Sequence, residues 1–490
     1  MADVGADIFQ LITLGMYSNP LAMYREYLQN SADSFTHASS QGGLVEIRLN
    51  RPESAITIFD NGPGLSPDEA VRALVPIAKS QKRSELHRGF RGIGRLSGLA
   101  YADSVTFLTR SKPSEPVTAI AWDGARINEA LHGSPPTWDA ISEGITIEEA
   151  IGQERPEHFF EVRIKGIARH AASTLLNAKK VRDYIGEVCT VPLSNSFPYS
   201  EKVEELFRPF APPMTLRVEF SGAPEPITRP HQDRICFSHE KHDRFNQFEP
   251  IIVPAFEGSR AAAAGWVLHS SYLGAIPKHL SIRGIRARVG NIQVGDEAVF
   301  DHLFPEERFN RWCVGEVHIL DTGIVPNGRR DYFEQGPRLR HLENHLGAIC
   351  RKIADRCRRN SKERNRLRRL ESLLTEIQDA CELASSGYLA AEDAIAMIEQ
   401  MLARVRRTQA TFSGSDGGVS AAIYALEAAE KRLSGFKFEA RKIPAGKIEN
   451  TDTLQGVFRA LMSVSKSPTE ARETIGAVLK ELERDRAAIS

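Results

Sequence analysis

Three stretches near the start of the chain decide its fold: Arg25-Glu26-Tyr27-Leu28-Gln29-Asn30-Ser31-Ala32-Asp33, Asp60-Asn61-Gly62-Pro63-Gly64 and Gly89-Phe90-Arg91-Gly92-Ile93-Gly94. In the first, Glu26, Asn30 and Asp33 stand four and then three residues apart, so a helix carries them on one face. Leu21, Tyr24 and Leu28 recur at helical spacing and are predicted to meet a core. A carboxylate and an amide oxygen one turn apart can orient a water and hold a hard cation. Magnesium is such a cation, and it takes only one or two of its oxygen ligands from protein. The second stretch follows Ala55-Ile56-Thr57-Ile58-Phe59, a β-branched and aromatic run that reads as a strand. Asp60 therefore falls at a strand end, where its carboxylate can accept from an exocyclic amine such as that of adenine. Gly62 and Gly64 permit close backbone approach. The third stretch has the spacing Gly-x-x-Gly-x-Gly and runs into a helix start at 95–100, whose amides favour anions. It lacks Gly-Lys-Ser/Thr and is not a Walker loop. Singly these read as an amphipathic helix, a turn and a loop. In this order, and this close together, they supply the parts of a magnesium–ATP site.

Those residues resemble the motifs of the GHKL ATPase superfamily, which includes gyrase B, MutL, the ninety-kilodalton heat-shock chaperones and sensor histidine kinases. The chaperones are the most similar. Phe9-Gln10-Leu11-Ile12, Met16-Tyr17-Ser18-Asn19, Ile77-Ala78-Lys79-Ser80 and Gly92-Ile93-Gly94-Arg95-Leu96-Ser97 resemble chaperone segments, although Arg95 stands where those proteins usually carry an aromatic. The likeness covers about residues 8–110. It implies an α+β chain whose ATPase domain is a two-layer α/β sandwich, the Bergerat fold. It implies Glu26 as the general base, Asn30 as the magnesium ligand and Asp60 as the contact to the adenine amino group. Gly62 and Gly64 would line the base pocket. Gly89, Gly92, Ile93 and Gly94 would form the lid hinge and phosphate cradle, with Asp33 and Lys79 as supporting residues near the nucleotide. The family often supports its adenine-binding Asp with a Gly-Thr pair on a later strand. The matching strand here, 159–164, has no such pair, which leaves Asp60 partly unsupported.

A Pro-rich break at 208–213 marks the next boundary, giving 1–205 as ATPase domain, 206–336 as an α/β middle domain and 337–490 as a helical region. Leu216-Arg217-Val218-Glu219-Phe220 and Ile285-Arg286-Ala287-Arg288-Val289 alternate as strands in the middle region. That region resembles the chaperone middle domain around 281–296, 302–306 and 315–331. The resemblance implies that Arg330, with Arg329 as fallback, reaches the γ-phosphate. In the last third, Leu342, Leu346, Ile349, Ile353 and Cys357, then Leu367, Leu370, Leu374 and Ile377, give one long amphipathic stripe. The stretch from Arg351 to Arg369 holds ten Lys or Arg and two acids, Asp355 and Glu363. It is either a solvated face or a nucleic-acid phosphate contact.

Charges balance at 63 against 63, so no overall field points to nucleic acid or membrane. Six scattered cysteines form no close pair suited to zinc, and Cys350 and Cys357 are expected to face a core. No apolar run is long enough to span a bilayer, and a cytoplasmic protein is expected. The expected function is a magnesium-dependent ATPase clamp, chaperone-like, homodimeric and acting on a protein client. The alternative is an ATP-gated nucleic-acid clamp resembling MutL or the microrchidia ATPases, using the basic stretch.

Overall fold

The computed structural model describes residues 19–39, 43–76, 94–132, 141–150, 155–210, 214–223, 225–258, 260–386, 389–411, 417–437 and 451–489. Lys79, Gly89, Gly92 and Ile93 lie outside the described residues, as do the chaperone-like segments 9–12, 16–18 and 77–80. The chain divides into two compact units, Met1–Cys357 and Arg358–Ser490.

The first unit is built on two sheets. Its first part runs α1 (Ala22–His37), β1 (Leu44–Asn50), β2 (Ala55–Asp60), α2 (Pro67–Leu74), a 3-10 helix Gly94–Ala100, β3 (Ala102–Arg110), β4 (Val117–Asp123), α3 (Gly124–His132), β5 (Ile145–Ala150), β6 (Phe159–Ile167), α4 (Arg169–Leu175) and α5 (Ala178–Val188). With β7 (Arg217–Phe220) from later in the chain, the seven-stranded sheet has the order β5-β4-β3-β6-β2-β1-β7. β1 and β2 form a hairpin through the 51–54 turn, with Asn50 opposite Ala55. Val45, Ile47, Ile56 and Ile58 point inward, where α1 supplies Tyr24, Leu28 and Phe35 to the same core. Period-two burial in the strands against helices on one face gives the two-layer sandwich that the sequence predicts.

β7 (Arg217–Phe220) corrects one expectation. The sequence reading places it in the middle region, but it pairs in parallel with β1 as the edge of the first sheet. Leu216, Val218 and Ile227 are buried in the first core, which is why this strand closes that sheet.

The second sheet follows α6 (Ser200–Phe207), a short β8–β9 pair (Arg234–Cys236, His242–Arg244), β10 (Gln247–Val253), β11 (Ala263–His269), β12 (Gly284–Val289), β13 (Ile292–Val294) and β14 (Val314–Ile319). Its order is β10-β11-β14-β12-β13. One face packs on the start of α7 (Pro337–Ser385) through Leu342, Leu346, Cys350, Ile353 and Cys357. The other packs on α6 through Phe207, Trp266 and Leu268. Cys350 and Cys357 face a core, as their spacing predicts.

The second unit gathers the rest of α7 with α8 (Ala391–Thr411), α9 (Gly417–Ser434), α10 (Thr451–Val464) and α11 (Pro468–Ile489). Leu370, Leu373, Ile377, Met401, Leu426 and Phe458 form its core. The long stripe expected along α7 is interrupted. No residue from 358 to 369 is buried, and Leu367 is 37% exposed. Seven cations and one acid in those twelve residues leave no apolar face to bury.

Candidate functional site

α1 is the centre of the site, and it is buried on nearly every side. Tyr24 at one end donates from its hydroxyl to the carbonyl of Leu175, at 2.7 Å. Tyr27 donates to the carbonyl of Arg95 at 2.9 Å and accepts from the amide of Gly98 at 3.2 Å. These bonds fasten the 3-10 helix Gly94–Ala100 against α1. A Cβ on Gly98 would stand 2.7 Å from the Tyr27 hydroxyl, so a side chain is excluded there.

Glu26 is buried between two partners. Its Oε1 accepts from Arg25 Nε at 3.1 Å and Nη2 at 3.0 Å. Its Oε2 lies against Gly94, where a Cβ would be only 2.2 Å away. Gly94 and the Glu26 carboxylate thus lie together, and a side chain at position 94 would take the space that the carboxylate fills. Asn30 lies one turn on and is half-buried, while Asp33 is buried.

Asp60 closes β2 and is 4% exposed. Oδ2 accepts from the Ser31 hydroxyl at 2.7 Å and Oδ1 from the Gly62 amide at 3.0 Å. Burial raises its pKa to about 6, with Ser31 and Gly62 offsetting only part of the desolvation. Among the described residues, no cation counters that rise. A donor arriving with a ligand is what such a carboxylate favours. The support missing from 159–164 comes from α1 instead, through Ser31.

The loop after Asp60 is fixed by packing. Gly64 has φ +66, and a Cβ there would lie 2.0 Å from the Arg110 carbonyl oxygen. Thr109 accepts from the Leu65 amide at 2.8 Å and donates to the Phe159 carbonyl at 3.0 Å, so one hydroxyl ties the loop to β3 and β6. The sequence reading missed Ser31, Tyr27, Gly98 and Thr109. Tyr27 and Ser31 stand within the first motif, but their partners lie far along the chain.

Arg330 belongs to a different place. It sits in the turn after β14, with φ +57, and its carbonyl accepts from the Gly295 amide at 2.8 Å beside the end of β13. Arg329 is exposed and Arg330 half-buried. The structure thus brings Glu26 to Gly94, and Asp60 to Gly62 and Ser31, and sets Arg330 at the rim of the second sheet.

A protein-family profile described as "Histidine kinase-, DNA gyrase B-, and HSP90-like ATPase" matches residues 21–142. The chaperone protein HtpG of Legionella pneumophila (strain Paris) is 31% identical over 185 residues, covering 33% of this chain and 29% of that protein. HtpG of Polaromonas sp. is 29% identical over 148 residues, covering 25% and 24%. HtpG of Bordetella pertussis is 36% identical over 146 residues, covering 24% and 23%. The chain thus spans less than a third of the length of these curated relatives. The matched segment holds Glu26, Asn30, Asp60 and Gly94, and the chain carries a GHKL-type ATPase domain, similar over that region to the HtpG chaperones.

Proposed function

We propose that this site binds and hydrolyses magnesium–ATP, and that the chain is a chaperone-like clamp that remodels protein clients. The observation that carries the reading is the Glu26 carboxylate held between Arg25 and Gly94 on the same helix that supports Asp60. Asp60 accepts from the adenine amino group. Asn30 fits a magnesium ion, because one amide oxygen suffices when phosphates and water complete the shell. The metal, when bound, neutralises charge on the phosphates. Arg25 fixes the direction of Glu26, whose carboxylate takes a proton from the attacking water. Arg330 adds positive charge toward the γ-phosphate from the second sheet. We assign Lys79, Gly89, Gly92, Ile93 and Gly94 to the lid, and Asp33, Gly62 and Gly64 to the nucleotide pocket.

We take the clamp to be a cytoplasmic homodimer acting on a protein client, a reading in keeping with the likeness to proteins named as chaperones. Among the described residues, no helix is long and apolar enough to cross a membrane. Glu26→Ala tests the chemistry: ATP binding should persist while turnover falls by about a hundredfold or more, the usual worth of a general base. Turnover at the wild-type rate would remove Glu26 from the mechanism.

A second reading has its own observation. Residues 358–369 are unburied and hold seven cations to one acid, a surface suited to a phosphate backbone. Under that reading, duplex DNA or RNA is retained on filters at low salt and released steeply as salt rises. No retention at low salt leaves the protein client alone.

A further inference from the structure

The second sheet reaches the site through α5. Arg288 on β12 is 1% exposed. Its Nε donates to Glu316 Oε1 at 2.8 Å, and its Nη2 donates to the backbone carbonyl of Glu187 at 2.7 Å. Arg286, on the same strand, pairs with the Glu187 carboxylate. Glu187 is the residue before the last in α5. Two cations of one sheet therefore grip the final turn of a helix belonging to the other, where positive charge complements the helix dipole.

The body of α5 packs on α1. Val181 and Ile185 share a core with Tyr24 and Leu28. Directly beyond the helix, burial raises the Cys189 thiol to about 12, while Arg25 and Arg288 both pull it down and Glu26 pushes it up. One thiol thus feels the site's ion pair and the second sheet's arginine together.

We propose that Arg286 and Arg288 are positioning residues for the ATPase reaction: by fixing the last turn of α5, they set the place of Arg25 and hence of the Glu26 carboxylate. The inference rests on Glu26 being the general base. A purely structural role would make the two arginines matter to unfolding alone. A positioning role makes them matter to turnover in a chain that stays folded, without changing nucleotide affinity.

The test uses the full chain with Arg286→Gln and Arg288→Lys. Arg288→Lys keeps a cation against Glu316 but loses the second arm that reaches Glu187. Arg286→Gln withdraws the charge from Glu187, whose side chain is 25% exposed and retains access to water. With magnesium–ATP, at temperatures well below each thermal midpoint, kcat should fall about tenfold while the Kd for ATP stays within about twofold, the pattern of a displaced base. Arg286→Lys, which keeps the charge, should recover most of the rate. Glu187→Ala should cost little more in the Arg286→Gln background, because the pair acts as one unit. An active wild type with unchanged kcat in both arginine variants overturns the positioning role and leaves Glu26 as base. So does a kcat loss matched by an equal loss of folded protein. A wild-type chain with no ATP turnover overturns this inference and the ATPase reading together.

Discussion

Two buried carboxylates in the first unit have opposite surroundings. Among the described residues, Asp60 has a hydroxyl and an amide as its donors, and burial raises its pKa to about 6. Glu316 on β14 meets Arg229, Arg288, His231 and His318. Burial alone would raise its carboxyl, but these neighbours outweigh it and hold the group well below the usual range. Glu316 is complete, and it fastens the second sheet to the 187–191 segment of the first. In support, Asn291 at the β12–β13 turn donates to Thr190 Oγ1 at 3.0 Å and to the Met214 carbonyl at 2.9 Å. Among the described residues, Asp60 has no cation beside it, in keeping with the ligand contact proposed for it. The contrast separates a carboxylate satisfied by cations from one that, under the proposed function, meets the nucleotide.

The contrast breaks most severely at Glu316. Glu316→Leu strands Arg229 and Arg288 as buried charges and should destabilise the first unit by about 3–5 kcal/mol. Denaturant unfolding checks this, and a loss below that of an ordinary surface substitution would show the cluster to be dispensable. Asp60→Asn should act the other way. The folded pKa of Asp60 lies above its unfolded value, so its favourable contribution is complete below that value and lost as pH rises through about 6. Removing the charge should stabilise the nucleotide-free chain at pH 8 by up to about 3 kcal/mol, the worth of a shift of roughly two units. The gain should vanish near pH 4, and thermal melts at both pH values test it.

Acid sharpens the comparison from the other side. Burial lowers His318 to about 4 and lowers His231 as well. Stability from neutral imidazoles is present above their unfolded pKa and lost as pH falls toward the folded value. In the Asp60→Asn background, which removes the opposing gain of that carboxyl in acid, melting temperature should therefore drop between about pH 6.5 and 4, and His318→Gln should flatten that slope. The smallest effect belongs to Ser31→Ala, which removes one donor to Asp60 and should weaken ATP binding by about 1 kcal/mol, or several-fold. Calorimetric titration would detect it, and an unchanged affinity would deny Ser31 a role at the site.

Much of the first sheet was legible in the sequence, because local pattern carries it. The run 55–59 ends at Asp60, the 51–54 turn closes a hairpin, and helical spacing aligns Glu26 with Asn30. What pairs with what was not legible. Ser31 meets Asp60 across 29 positions, and Thr109 meets Leu65 across 44. β7 alternates like any strand, and its spacing carries no sign that its parallel partner is β1. Glu316 lies within Val314–Ile319, every residue of which is buried, so period-two alternation could not show that its polar members face a cluster of arginines. Leu367 fits the helical spacing of its neighbours, yet the surrounding cations leave it in solvent.

The central claim is that Asp60 and the α1 face form a nucleotide site. Titration calorimetry of ATP with magnesium, on wild type and Asp60→Asn side by side, tests it most directly. The account predicts saturable binding to the wild type, and at least about tenfold weaker binding to a variant that melts no lower, since the acceptor for the adenine amino group is impaired while the fold is relieved of a buried charge. Equal affinity in the two proteins, or no binding to the wild type, would contradict it.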